Sequence, residues 1–123
     1  MLLHNAENKP FYISMDGFLT GTTSNGITTL FFKGTADYVV VIEDVNTIYE
    51  KLCENKMVKP IIVHGKESNN RILINIENIT LIEPLPNGIN GSKINVGYNG
   101  ERYLHCNETI KKIYDMITNI DVA

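Results

Sequence analysis

Tryptophan is missing from the 123 residues, cysteine occurs only twice, proline four times, and arginine only as Arg71 and Arg102. Lone cysteines at Cys53 and Cys106 supply neither the disulfide framework of a small secreted domain nor a paired Cys-x-x-Cys metal knuckle. They read most simply as two small buried side chains in a reducing compartment. The shortage of arginine, with a net charge of −3, argues against bulk nucleic-acid affinity and against bidentate reading of guanine or phosphate. Long apolar runs are lacking as well. Tyr38–Ile42 and Pro60–Val63 fall far short of the ~20 residues that cross a bilayer. The start, Met1-Leu2-Leu3-His4-Asn5, has neither the basic region nor the apolar stretch of an export signal, so the expected location is cytoplasmic.

What is present describes a folded chain. The residues are 43% hydrophobic and 20% charged, too apolar for intrinsic disorder. The length suits a single domain, 1–123, of the usual ~100–150 residues. The strongest internal signal is similarity between the two halves. Phe11–Phe18 matches Ile72–Ile79, apolar on apolar, with Asp16 on Glu77. Asn25–Leu52 then lies without a gap on Asn90–Ile117, placing Asn25-Gly26 on Asn90-Gly91 and Tyr38 on Tyr103. A four-residue length difference falls in the loop holding Pro84 and Pro86.

Each unit reads as strands followed by a helix. Pro10–Leu19, Ile27–Lys33 and Asp37–Glu43 are rich in β-branched and aromatic residues, with Thr22–Gly26 as a turn. Asp44 is an N-cap signal, and Val45, Ile48, Tyr49 and Leu52 form one helical stripe ending near Asn55. In the second unit, Pro60–His64 is an added strand joining the halves, and Lys66–Asn70 is a turn. Arg71–Ile76 and Thr80–Glu83 are extended. Residues 84–91 form a loop, since proline and glycine weaken ladders. Lys93–Tyr98 and Glu101–Cys106 flank Asn99-Gly100, a type I′ hairpin signal. Asn107 caps a last helix striped by Ile110, Ile113, Tyr114 and Ile117. The expected fold class is α+β, mainly antiparallel sheet with two helices, from two tandem strand-rich units at about 10–55 and 59–120. A unit of roughly 45 residues is too small to bury a sufficient core alone.

The run Ile74–Glu83, followed by a loop, a hairpin and an Ile-rich helix, resembles the small β-β-β-α modules of FlbD-like flagellar-associated proteins. It is also similar to the strand region of LytTR response-regulator domains. Pro10-Phe11-Tyr12-Ile13 with Tyr38–Leu52 is similar to the FlbD-like pattern too. The LytTR likeness implies DNA binding through a basic segment after the helix. This chain shows Thr118–Ala123 there instead.

Chemical motifs are sparse. His64, His105, Cys53 and Cys106 include metal-ligand types, but without paired spacing no metal site is expected, nor a Cys–His nucleophile. Gly88–Lys93 lacks the strand–loop–helix order of a phosphate cradle and reads as a hairpin loop. Asp16, Glu43, Glu77 and Glu83 read as the solvated side of a half-buried sheet. Tyr98, Arg102 and Tyr103 flank a turn, an aromatic–arginine grouping that serves as a protein anchor or stacks on bases.

The expectation is a non-catalytic binding or regulatory protein with no cofactor. It acts on a protein partner, or on itself as a homo-oligomer, through hairpins or a sheet edge. The alternative is a protein that binds a small polar or nucleotide-like ligand between subunits. A third reading is a DNA-binding regulator. Candidate binding residues are Asn87, Asn90, Tyr98, Asn99, Arg102 and Tyr103.

Overall fold

The computed structural model describes residues 1–34, 37–55, 58–97 and 102–120. Within them the fold is α+β, with strands in antiparallel sheets and two α-helices. The first half contains β1 (Leu2–His4), β2 (Pro10–Tyr12), β3 (Phe18–Ser24), β4 (Ile27–Phe32), β5 (Tyr38–Val41) and α1 (Val45–Glu54). The second contains β6 (Pro60–His64), β7 (Arg71–Asn75), β8 (Ile79–Pro84), β9 (Ser92–Val96), β10 (Arg102–Cys106) and α2 (Ile110–Ile120). No helix among the described residues is long and apolar enough to cross a membrane.

Local chemistry explains most of these elements. Asp44 caps α1, its Oδ1 accepting the Thr47 N–H at 2.8 Å. That bond holds its carboxyl below the ordinary value. Val45, Ile48 and Leu52 form the buried stripe. Between β3 and β4 the chain reverses in two residues, Asn25 and Gly26, with φ of 54° and 78°, the positive values a type I′ turn demands.

Several boundaries differ from expectation. Because that turn is so tight, Thr22–Ser24 belong to β3 rather than to a loop. Pro10–Leu19 is not one strand: β2 stops at Tyr12, and the following residues carry the chain to another sheet. Pro60–His64 is a strand over the expected bounds. Leu2–His4 stands in the same order ahead of the first half's strands, and a three-residue strand is too short for alternation to reveal. Thr109, not Asn107, caps α2, its Oγ1 accepting the Lys112 N–H at 3.3 Å. The Asn107 amide turns instead to Asn69 Oδ1, at 3.0 Å. Cys106 is buried as expected but Cys53 is exposed; both are free thiols. The Asn99-Gly100 turn lies outside the described residues.

The halves pass through the same order of elements, and their ladders correspond in register. Leu3↔Phe11 and His4↔Pro10 stand in the first hairpin where Val63↔Ile72 and His64↔Arg71 stand in the second. β3 and β8 each shift register at one place, after Phe18 and after Ile79. Gly21 pairs with Leu30, and Ile82 with Ile94. Leu30 therefore corresponds to Ile94, one residue away from the gapless match, which had placed Asn25-Gly26 on Asn90-Gly91. The extra residue lies in a connection between strands, where an ungapped comparison cannot register it.

Each half has its own core. Phe18, Leu30, Val41 and Leu73 pack with Ile48 and Leu52 of α1, while Ile74, Ile94, Val96 and Cys106 pack with Ile113 of α2. Leu73 and Ile74, neighbours on β7, point to opposite faces and enter different cores. The β6–β7 hairpin is thus the wall shared by both.

Candidate functional site

The described strands form three sheets, β2-β1, β5-β4-β3-β7-β6 and β10-β9-β8. Two joints link them. His4 O accepts the Ile42 N–H at 3.0 Å, bringing β1 to the end of β5. His64 O accepts the Asn107 N–H at 2.8 Å, bringing β6 to the end of β10, where Gly65 also bridges Cys106. The result is one strand circuit that begins at β2 and ends at β8.

A histidine–glutamate clip sits at each joint. Glu43 receives the His4 backbone N–H at 2.9 Å and faces its ring Nδ1 at 2.6 Å. Glu108 does the same for His64, at 2.9 and 2.7 Å. Each glutamate immediately precedes its helix cap, so one carboxylate ties strand, sheet end and helix start together. An ionised carboxylate only accepts, which assigns the proton to Nδ1 and leaves Nε2 to act elsewhere. Glu43 is therefore not a member of a merely solvated carboxylate face. Burial pushes both carboxyls up, but the histidine ring and backbone bonds outweigh it and hold both below the ordinary 4.5.

The clips make stability depend on acid. A carboxyl with a lowered folded pKa stabilises the fold above its ordinary value, and that contribution disappears as pH falls through the lowered one. Replacing both glutamates by glutamine is expected to cost about 1–2 kcal/mol at neutral pH, the low end for charged bonds because the histidines are partly exposed. Urea unfolding across pH 7 to 3 checks this: the double variant loses less stability on acidification than the wild type. Parallel curves contradict it.

The centre of the circuit is the β3–β7 joint, with Thr20↔Ile74, Gly21↔Leu73 and Thr22↔Ile72. Helix α1 lies across β7, β3 and β6. A Cβ at Gly21 would lie 2.5 Å from Leu30 Cδ2, so a larger residue there would require that side chain to shift. The corresponding edge in the other half is β8. Among the described residues β8 pairs only with β9, and β2 only with β1. The surfaces beside these edges are apolar and uncovered: Tyr12 is 76% exposed and Leu2 55%, Tyr114 63% and Ile110 38%. At the corresponding places, Leu73 and Val45 are buried and Ile62 and Tyr49 half-buried.

Among the described candidates, Asn87 and Asn90 lie apart from Arg102 and Tyr103. Asn87 and Asn90 are exposed on the β8–β9 connection. Arg102 lies at the far end of β9, opposite Val96, about 13 Å along the strand. Tyr98 and Asn99 lie outside the described residues. Arg102 stacks its guanidinium 3.8 Å above the Phe31 ring in a cleft of about 310 Å³ lined also by Thr20, Thr22, Ile72 and Leu104. Tyr103 is exposed and receives Lys93 Nζ 4.6 Å above its ring. Among the described residues no cluster of three or more metal-ligating side chains occurs. No family model, curated protein or solved structure matches this chain. Among the described residues the outer edges of β2 and β8 pair with no further strand and lie beside apolar side chains, an arrangement suited to pairing with extended backbone. Sequence reasoning missed His4, Glu108 and Tyr12. The available signal for the clips was a strand-ending histidine and a glutamate directly before a helix cap, present in both halves.

Proposed function

We propose that this chain is a duplicated strand-rich unit that works as a non-catalytic protein-binding module. Its binding surface is the open edge of β8 beneath α2, and its target is an extended segment added as a further strand. Main-chain hydrogen bonds supply affinity in this mode, and alternate side chains supply selectivity. One observation carries the reading: the chain already makes this contact once, where β7 lies on β3 under α1, and among the described residues no strand takes the matching place beside β8.

Hydrogen exchange at protein concentrations of about 1 μM provides the test. Peptides of six to eight residues with alternating apolar side chains, together with one spanning Lys9–Ser14, are added up to about 1 mM, a reach of roughly 4 kcal/mol in binding free energy. Protection of backbone amides within Ile79–Glu83 by at least one peptide is expected, and N-methylation of that peptide's outward amides removes it. No protection by any peptide overturns the reading.

A further inference from the structure

We infer that the occupant of the β8 edge is the β1–β2 hairpin of a second copy of this chain, so that copies join head to tail. The inference rests on the binding role proposed for β8 and names its partner.

The interface already inside the molecule supplies the template. The β6–β7 hairpin has two working faces: Ile61, Val63 and Ile74 enter the core of its own half, and Leu73 and Ile62 pack into the core of the other half under α1. The β1–β2 hairpin is built alike. Met1, Leu3 and Ile13 enter its own core, while Leu2 and Tyr12, paired across the two strands, are exposed. On the receiving side, the difference between the helices is of the same kind. Val45 and Leu52 of α1 are fully covered, whereas Ile110 of α2 is exposed and Ile117 only half-buried. The donor surface and the acceptor surface each lack what the other presents.

Register follows from the β3–β7 ladder. Gly21↔Leu73 translates to Ile82↔Tyr12, and Thr20↔Ile74 to Leu81↔Ile13. Backbone polarity agrees. Ile13 donates its N–H to Met1 O at 2.8 Å, and successive N–H groups on a strand alternate sides. The Tyr12 N–H therefore points away from β1 toward the open edge, just where the Leu73 N–H meets β3. Because donor and acceptor are different surfaces, the contact is heterologous. It generates a ring if the rotation closes and a filament if it does not.

Two variants separate this from other arrangements. Tyr12→Pro removes the outward N–H while leaving the Ile13–Met1 bond, and so disables the donor end. Tyr114→Glu disables the acceptor end. Sedimentation velocity over about 1–300 μM is expected to show wild-type species growing with concentration, each variant alone weakened roughly tenfold or more, and an equimolar mixture forming dimers that grow no further. Circular dichroism verifies folding, and Leu2→Glu replaces Tyr12→Pro if the proline variant unfolds. A wild type that stays monomeric overturns the inference, as does a mixture that fails to dimerise. If peptides still protect β8 in such a monomer, the binding role stands and only the self-partner falls. A monomer with β8 already protected places its own hairpin there and also overturns self-assembly.

Discussion

Gly91→Ala is expected to remove about 2–6 kcal/mol of stability, enough to unfold a domain of ordinary stability or bring it close to unfolding. Gly91 has φ +119°, and an added Cβ would lie 2.2 Å from the Cys106 carbonyl oxygen. That oxygen cannot retreat. Cys106 pairs with Ser92 in β9 and bridges Gly65, and the next N–H is bonded to His64 O. The substitution therefore strikes the joint between β6 and β10, where two ladders and a clip converge. Gly88→Ala is the control. Gly88 also has a positive φ, +72°, but nothing within 4 Å of its Cβ position, so only the backbone cost of about 1 kcal/mol applies. Urea unfolding of the pair decides the matter, and equal midpoints refute the steric account.

Leu73→Ala should cost about 2–5 kcal/mol, because truncating a fully buried leucine forfeits transfer energy and leaves a cavity. Leu73 is 0% exposed and joins the core that holds Phe18, Leu30, Ile48 and Leu52. Its loss loosens the contact by which the second half holds the first. Tyr12→Ala, at the corresponding place, should stay within about 0.5 kcal/mol in the dilute chain, since an exposed side chain has little packing to lose. The comparison isolates what covering the strand contributes. Chemical denaturation at about 1 μM checks both, and a Leu73→Ala cost below about 1 kcal/mol would show that packing does not hold the β3–β7 joint.

Legibility followed the range of each interaction. Asp44, Val45, Ile48 and Leu52 disclosed α1 because a cap and its stripe lie within one short segment. The Asn25-Gly26 turn was visible but read too broadly, since Thr22–Ser24 carry both strand and turn character. His4 and Glu43 gave no signal as a pair, being far apart in sequence and joined only when β1 reaches the end of β5. The candidate binding residues near Arg102 rest on residue type and on flanking the Asn99-Gly100 turn. Type does not reveal that Arg102 stacks on Phe31, a residue of the other half.

The amino-acid order alone determined where backbone turns, which faces are apolar and where helices start, because these depend on dihedral preference and on spacing between near neighbours. Only the tertiary structure decided that β7 lies on β3, that two glutamates clip two histidines, and that among the described residues β2 and β8 end their sheets. An alternating strand carries the same period whichever neighbour it meets. The choice of neighbour is settled by burial on both faces at once, and that is a property of the assembled sheet.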